Sequence, residues 1–529
     1  MCAFGPTEGD CLALAAQQGG HARVGFENNL CRADGQLATH NAELVAETKA
    51  RIEATGRRVM TASEARHFLA LTTNARTGGH LMTVVVGCGA GFSGDRTDAA
   101  RPLVDALMSY DAPRALMFET LGERTLAAAQ LRRIKDPDSG DEPLLEEFLS
   151  PVLSDCLTHH ITVLGNFGAA NPGAACRRIQ QLAKRLGHTE ACLATIHGDD
   201  VRDQLHALDW QAWEGEKRSL SALEHVVAAN VYLGADGLIE AMARGAHVVI
   251  TGRVADPSLA LAPLCYYHDW ASDDWHRLAA GALAGHLIEC GTQVTGGYFA
   301  DPGFKDVPGM ASLGYPLVEV ERNGRLIVTK PPGTGGLVTE QTVKEQLLYE
   351  IHDPSAYITP DVVIDLAHVS VRQLAKDRVE ITGVRGKPAP ARLKTTVSFL
   401  GGYQGEAEIS YAGPNAFARA RLARDTLRQR LALRCPANLR ARFDLIGVSS
   451  VFDGDSQYNP HHIGQAASDI RLRLAVEHAD QRVVELATQE LLALYCCGPA
   501  GGGGVRRHHT QRLKNRFVFG TQTTSYPPS

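Results

Sequence analysis

A glycine-rich turn in this chain has the residue types that bind anions through backbone N–H groups. Residues 84–86 are three valines, a β-branched run typical of a buried strand. Four glycines follow where a helix should begin: Gly87, Gly89, Gly91 and Gly94. A strand, a glycine turn and a helix N-terminus together present N–H groups to an anionic ligand, and residues 89–94 match the GxGxxG pattern of dinucleotide-binding loops. A structural turn without a ligand is the alternative.

Charged residues near this turn bear on what it binds. Asp95 and Arg96 follow the last glycine directly. The Asp suits the dipole of a helix N-terminus but repels a phosphate, whereas we count Arg96 with the glycines as a candidate cofactor-binding residue. Glu119 closes the next predicted strand, where dinucleotide-binding domains place a ribose-binding acid. Burial of Glu119 would raise its pKa and suit it to acid–base catalysis; the alternative is a helix-capping cluster with Glu123.

Two further strand ends place charged residues where a ligand could bind. Asp199 and Asp200 are paired carboxylates that could hold Mg²⁺ or share a proton, although capping of the next helix would use the same residues. Arg253 offers a planar, permanently charged fork for a carboxylate or phosphate. Asp256 precedes Pro257, and a proline disfavours helical geometry for the residue before it. Asp256 is therefore expected to stay at the carboxyl end of the strand. A structural Arg–Asp pair is the competing interpretation.

A predicted helix over 277–290 places three reactive side chains on one face. His286, Glu289 and Cys290 fall at positions i, i+3 and i+4, so they could ligate a metal or form a Cys–His nucleophile pair. A buried His beside a capping Glu is the alternative. Lys305 lies in a Gly/Pro-bearing loop that could close as a lid, although an ordinary surface loop is the favoured alternative. If the ligand is a CoA ester, Lys305 would bind one of its phosphates. The catalytic candidates are therefore Glu119, Asp200, Arg253, Asp256 and His286.

Alternating strand and helix patterns must position these residues. Continuous apolar runs predict strands at 82–86, 115–119, 160–164, 192–196 and 247–251, and helical patterns lie between them. This predicts an α/β fold with a mostly parallel sheet and flanking helices, followed by a β-rich segment and a smaller C-terminal α+β domain. The predicted boundaries are 1–75, 82–315, 316–435 and 436–529. Because ligands bind at the carboxyl ends of parallel strands, the polar strand ends should converge on one cleft.

Composition excludes several classes of function. The net charge of −6 is spread without long runs, which argues against nucleic acid or a membrane surface as a partner. No apolar run is long enough for a membrane span. Twelve cysteines without regular spacing indicate reduced thiols and a cytoplasmic location. No lysine follows Gly94 in the pattern of an ATPase loop.

Seven segments, in order, resemble the acyclic terpene utilisation protein family, AtuA, over roughly 82–515. They are GCGAGFSGDR (87–96), MFETLGERTLAAAQ (117–130), NFGAANPGAA (166–175), IHGDDV (196–201), ANVYLGADGLIEAMARGAHVVITGRVADPSLALAPL (229–264), GHLIECGTQVTGGYFADPGFKDVP (285–308) and GPAGGGGVR (498–506). The resemblance implies a cytoplasmic bacterial protein that belongs to the catabolism of acyclic terpenes and branched acids. It implies a pathway context and leaves the reaction open.

Residues 5–71 resemble the C-terminal end of a β-keto acid cleavage enzyme, a zinc-dependent TIM barrel that condenses a β-keto acid with acetyl-CoA. The resemblance rests on GGHARVGFENN (19–29) and the two predicted helices that follow. It matches Glu27 to a zinc ligand and Arg23 to a catalytic arginine, while Asn28 stands where the family has Asp. One carboxylate cannot hold a catalytic Zn²⁺, so we expect 1–75 to be a non-catalytic remnant of a fusion or the product of a misplaced start.

These observations predict a catabolic enzyme, a lyase or hydro-lyase that acts on a carboxylate-bearing acyl-CoA or a branched acid. A CoA ester is expected as substrate, a divalent metal is a candidate cofactor, and a homo-oligomer or a complex with another catabolic subunit is expected. An NAD(P)-dependent oxidoreductase and a non-catalytic acyl-CoA-binding subunit stay open as alternatives.

Overall fold

A computed structural model describes residues 8–20, 22, 24, 29–60, 83–205, 210–212, 225–451 and 466–521. The chain divides into two compact units, Met1–His80 and Leu81–Ser529. In the first unit, helix α1 (Glu8–Gln17) packs against helix α2 (Asn41–Ala54). The residues matched to the zinc enzyme, Arg23, Glu27 and Asn28, lie outside the described residues.

The second unit contains most of the regular structure that is described. Its strands are β1 (Thr83–Cys88), β2 (Arg114–Phe118), β3 (Thr162–Gly165), β4 (Leu193–Thr195), β5 (Trp210–Ala212), β6 (Val226–Val231), β7 (Val248–Ile250), β8 (Leu317–Glu321), β9 (Leu326–Thr329), β10 (Tyr357–Ile358), β11 (Val363–Asp365), β12 (Ser370–Ala375), β13 (Arg378–Thr382), β14 (Arg385–Lys387), β15 (Arg392–Ala412), β16 (Arg440–Ile446), β17 (Asp469–His478) and β18 (Gly502–Thr521). Its helices are α3 (Ala100–Met108), α4 (Glu123–Lys135), α5 (Leu145–Leu149), α6 (Leu153–Thr158), α7 (Pro172–Arg185), α8 (Asp236–Ala243), α9 (Ser258–His268), α10 (Trp275–Glu289), α11 (Glu340–Leu348), α12 (Ala416–Arg434) and α13 (Gln481–Cys497). Short 3₁₀ segments lie at Arg202–Gln204, Gly291–Thr295 and Met310–Ser312.

Nine of these strands form one large sheet in the order β12-β13-β9-β8-β1-β2-β3-β7-β4. The five predicted strands, β1, β2, β3, β4 and β7, are confirmed and pair in parallel. The sheet as a whole is mixed rather than mostly parallel, because β8, β9, β13 and β12 extend it with antiparallel pairing. The tight turn at Asn323 and Gly324 accounts for the antiparallel β8–β9 pair, since such a turn joins antiparallel strands.

The apolar runs form central strands because helices cover both faces of the sheet. Val84 and Val86 pack in a core that also contains Leu264 and Leu283 of α9 and α10. Val85 faces the opposite core, with residues of α3 and α5. All three valines are fully buried, and each contributes about 1.5–3 kcal/mol relative to an exposed position. This double burial holds the carboxyl ends of the parallel strands in fixed positions.

A second sheet is antiparallel and combines strands from distant parts of the sequence. Its order is β16-β17-β15-β18-β5, and β6 pairs with β15. Residues of α12 and α13 pack on one face of this sheet. A small sheet, β10-β11-β14, lies against α10. The three-part division predicted for the second unit stays a prediction. Among the described residues, every helix is too short or too polar to cross a membrane.

Candidate active site

A cleft of about 610 Å³ opens where the parallel strands β1, β2 and β7 end. Gly91 follows β1, Glu119 follows β2, and Arg253 and Asp256 follow β7; all four line the cleft. β2 lies on one side of β1 and the antiparallel β8 on the other. α/β sheets bind ligands outside the carboxyl ends of their parallel strands, which is where this cleft lies. The loops after β3 and β4 do not line this cleft. Residues of these loops hold two residues that do line it, because Asn166 donates to Glu119 and Asp199 accepts from the backbone of Arg253.

Glu119 is a buried carboxyl group with two donors on one oxygen. Its Oε1 accepts hydrogen bonds from Leu121 N at 2.9 Å and from Asn166 Nδ2 at 2.8 Å. Burial raises the pKa of Glu119 to about 7, although the charge of Arg253 and these two hydrogen bonds oppose the shift. A carboxyl group with this pKa exists in both protonation states near neutral pH, so it can accept or donate a proton.

Arg253 is almost completely enclosed, with 1% of its surface exposed. Its guanidinium donates from Nε to the Val254 carbonyl at 2.8 Å and from Nη1 to the Leu121 carbonyl. Nη2 forms an ion pair with Asp256 that lacks hydrogen-bond geometry. The backbone N–H of Arg253 donates to Asp199 Oδ2 at 2.9 Å. The guanidinium that was predicted to bind a substrate anion is therefore engaged by groups of the protein itself. What Arg253 contributes to the cleft is mainly its positive charge.

Tyr232, which follows β6, has two cations close to its ring. Arg253 Cζ is 4.6 Å from its ring centroid, and Lys394 Nζ is 4.5 Å from it. The Tyr232 hydroxyl donates to Glu123, and Lys394 Nζ lies 3.5 Å from the same carboxylate. Burial alone would raise the pKa of Glu123, but the hydrogen bond from Tyr232 and the charges of Arg253 and Lys394 lower it. Because 38% of the Lys394 side chain is exposed, it is the more accessible of the two cations.

The predicted group on α10 forms a buried pair rather than a nucleophile. His286 Nε2 lies 2.9 Å from the Gln346 carbonyl, and Nδ1 lies 3.3 Å from Glu289 Oε1. Both ring nitrogens are therefore engaged, which leaves neither to activate Cys290. Burial also raises the pKa of the Cys290 thiol, so the thiolate is disfavoured. His286, Glu289 and Cys290 all line the cleft.

The glycine loop packs against protein instead of presenting free N–H groups. A Cβ on Gly91 would lie 2.5 Å from the backbone of Cys290 and Gly291. The N–H of Gly91 donates to Asp95 Oδ2 at 2.8 Å, so a carboxylate already occupies the position that a phosphate would take. Gly87, Gly89 and Gly94 do not line the cleft. This geometry argues against nucleotide binding at this loop.

Two other predicted anion-binding residues lie away from the cleft and have internal partners. Arg96 forms a two-point pair with Asp98, with both N···O distances at 2.9 Å. Lys305 Nζ lies 2.5 Å from Glu345 and 4.9 Å from the ring centroid of Phe299. Neither Arg96 nor Lys305 lines the cleft.

The paired carboxylates have separate structural roles. Asp199 is buried and accepts from Asn230 Nδ2 at 2.8 Å as well as from the backbone of Arg253. Asp200 pairs with Arg202, and neither acid lines the cleft. Among the described residues, no group of three or more His, Cys, Asp or Glu side chains could hold a metal ion. The structure thus does not bring Asp200 to the other catalytic candidates, whereas Glu119, Arg253, Asp256 and His286 share the cleft.

Sequence reasoning missed the residues of the second sheet that complete the cleft. Arg392 and Lys394 stand at the start of β15, in a stretch without glycine or a motif, and Tyr232 follows β6. No local signal identifies Lys394, because its place in the cleft depends on the pairing of β15 with β6. Tyr232 was missed because the strand before it, β6, was not among the predicted strands.

A second, shallower groove of about 540 Å³ adjoins the cleft and shares Gln293, Tyr298 and Tyr349 with it. Phe299 and Leu348 also line the groove. Tyr298 is 82% exposed and Leu348 is 58% exposed, so the groove presents apolar surface to solvent. A ligand longer than the cleft could extend along it.

Comparison with known proteins gives two family matches. The family described as acyclic terpene utilisation family protein AtuA matches residues 84–527, and the family described as beta-keto acid cleavage enzyme matches residues 1–71. No curated protein and no solved structure matches the chain.

Proposed function

The chain belongs to the acyclic terpene utilisation family AtuA, and we propose that it is an enzyme of acyclic terpene or branched-acid catabolism that moves a proton at a carbon beside a carbonyl. The substrate would be a carboxylate-bearing acyl-CoA or a branched acid, and the reaction a lyase or hydro-lyase step. The proposal rests on one observation: Glu119, a buried carboxyl group whose pKa is raised by burial, shares a cleft with a cluster of cations.

Glu119 is assigned the proton transfer. At neutral pH, Glu119 is ionised in a substantial fraction of the protein molecules, and the ionised group can accept a proton from carbon. The two donors on Oε1 fix the carboxyl plane, since Leu121 N and Asn166 Nδ2 approach from different elements. General acid–base catalysis requires a carboxyl group in a fixed position with a pKa near the working pH. Such a group contributes about 10²–10⁴-fold to a rate.

The cations are assigned the binding of the substrate anion and the stabilisation of charge that develops on the carbonyl oxygen. Lys394 and Arg392 come from one strand and line the cleft, and the buried charge of Arg253 adds to their field behind Tyr232. Negative charge that develops when a proton leaves carbon is stabilised by such fixed positive charges. We expected Arg253 and the glycine loop to bind the anion directly. In this proposal both have supporting roles instead.

Substrate size follows from the shape of the site. The cleft lies within the range of volumes that small-molecule sites occupy. The adjoining groove, with Phe299 and Leu348, offers apolar surface for the rest of a branched chain. The match of residues 1–71 to a β-keto acid cleavage enzyme supports acyl-CoA chemistry in the same metabolic context.

Exchange of substrate hydrogen for deuterium tests the proposal. The protein is incubated in D₂O with 3-hydroxy-3-methylglutaryl-CoA, a branched, carboxylated thioester, and deuterium at the carbon beside the thioester is measured by mass spectrometry. We expect exchange by the wild type, a loss of at least about 100-fold in Glu119→Gln, and unchanged exchange in the control Asp200→Asn.

Three results would overturn the proposal. Binding without exchange would favour a non-catalytic acyl-CoA-binding subunit. Reduction of NAD(P)⁺ in place of exchange would favour an oxidoreductase. Equal exchange by the wild type and Glu119→Gln would remove the assigned base.

A further inference from the structure

His286 and Glu289 form a hydrogen-bonded pair at the end of α10. A carbonyl oxygen only accepts hydrogen bonds, so the contact with Gln346 assigns a hydrogen to His286 Nε2. Nδ1 then faces Glu289 Oε1 at 3.3 Å, and a hydrogen bond between them requires one proton, carried by either atom. The pair therefore holds one more proton than a neutral imidazole beside a free carboxylate.

The other oxygen of Glu289 is left without a partner. Glu289 Oε2 is buried and finds no hydrogen-bond donor among the described residues. Only 8% of the residue is exposed. A buried carboxylate oxygen without a donor is costly, which favours the protonated carboxyl group. Burial also raises the pKa of Glu289, against the opposing effect of its contact with His286.

Glu289 stands on a different element from Glu119. Glu119 follows a strand of the large sheet and Glu289 ends a helix, yet both line one cleft. A reaction that takes a proton from one atom of a substrate and gives a proton to another needs two such groups. Two other acids that line the cleft are held by cations: Asp256 pairs with Arg253, and Glu123 pairs with Lys394.

We propose that Glu289 is the general acid of a hydro-lyase reaction in which Glu119 is the base, and that His286 is the residue that positions Glu289. The inference rests on the proposed function of the cleft. It also changes the predicted role of His286, whose two ring nitrogens are engaged by protein groups.

The step balances without a further reactant. Glu119 takes the proton from the carbon beside the thioester carbonyl, and the electron pair of that C–H bond forms an enolate, which can take up a solvent-derived proton again without loss of water. When the enolate collapses, the same electron pair forms the new carbon–carbon double bond. The bond from the next carbon to its hydroxyl breaks, and the hydroxyl leaves as water with the proton of Glu289. Solvent then removes the proton from Glu119 and restores the one on Glu289.

Two rates measured on the same probe separate the two carboxyl groups. With 3-hydroxy-3-methylglutaryl-CoA in D₂O, deuterium exchange reports proton removal, and absorbance of the conjugated thioester reports loss of water. Glu289→Gln should reduce water loss at least about 100-fold while exchange stays within about threefold of the wild type. The matched control is Glu490→Gln, because Glu490 is a buried helical glutamate outside the cleft lining and should leave both rates unchanged.

His286→Asn tests the positioning role. We expect kcat for water loss to fall at least about tenfold with KM unchanged and with exchange retained, a pattern that general loss of structure would not produce. Melting temperatures of both variants within about 3 °C of the wild type would show that folding is intact.

The failures of the two proposals can be distinguished. If the wild type shows no exchange, the proposed function fails. If the wild type exchanges and eliminates water while Glu289→Gln does so equally well, the role of Glu289 alone is refuted. Loss of exchange together with elimination in Glu289→Gln would also refute it, since Glu289 would then act in binding or in the first proton transfer.

Discussion

Replacement of Glu119 by Gln should stabilise the protein at high pH, because the carboxyl group is held in a place that disfavours its charge. The pKa of Glu119 rises from an ordinary value of 4.5 to about 7 in the folded protein. Below pH 4.5 the group is protonated in both the folded and the unfolded states and costs nothing. As the pH rises toward 7, only the unfolded state ionises freely, so the free energy of unfolding falls. Gln does not titrate, and it can keep the acceptor oxygen that Leu121 and Asn166 use.

The size of the effect follows from the two pKa values. A shift of this size reduces the wild-type free energy of unfolding by roughly 2–3 kcal/mol between pH 5 and pH 8. For a unit of about 450 residues, this corresponds to about 3 °C in melting temperature. The difference between Glu119→Gln and the wild type should therefore grow by about that amount across this pH range. Thermal unfolding of both proteins at pH 5, 6, 7 and 8 measures it.

Glu380 offers a control of similar exposure and opposite sign. Both residues are 7% exposed, but Glu380 forms ion pairs with Arg325 and Arg372, whose hydrogen bonds lower its pKa. Its contribution to stability is present above the pKa of the unfolded state and is lost as the pH falls through the lowered folded value. Glu380→Gln should thus destabilise the protein, and the size of this effect should not change between pH 6 and pH 8. A pH-independent effect of Glu119→Gln would refute the burial argument.

Three more predictions concern the walls of the cleft. Lys394→Met should weaken binding of a carboxylate-bearing probe by about 1.5–3 kcal/mol, or roughly ten- to hundredfold, and isothermal titration against an uncharged analogue should show no such loss. Gly91→Ala should destabilise the protein by about 1–3 kcal/mol in chemical denaturation, because the added Cβ would meet backbone at 2.5 Å; an unchanged midpoint would contradict that close packing. Iodoacetamide at pH 8 should label exposed Cys192 at least about tenfold faster than Cys290, whose thiol pKa is raised by burial, and equal rates by peptide mass spectrometry would contradict the assignment.

Much of the large sheet could be predicted because its strands are signalled locally. The valines of β1 and the apolar runs of β2, β3, β4 and β7 lie within a residue or two of the predicted strands. The Asn323-Gly324 pair, a dipeptide typical of hairpin turns, likewise lies between β8 and β9, which pair as a hairpin. What the patterns did not reveal is that this hairpin joins the edge of the parallel strands. Strand propensity depends on neighbouring residues, whereas pairing depends on partners far away in the sequence.

The same distinction separates the site residues. Glu119 and Arg253 could be predicted as members of one cleft because polar residues that directly follow buried parallel strands lie at one edge of a sheet. The sequence alone therefore determined at which edge of the sheet a ligand would bind and which types of charged residue lie there. Only the tertiary structure decided which charges are accessible: Asp95 occupies the glycine loop, Arg202 engages Asp200, and β15 brings Lys394 to the cleft. Side-chain partners are set by long-range packing and hydrogen bonding, and no local pattern encodes those contacts.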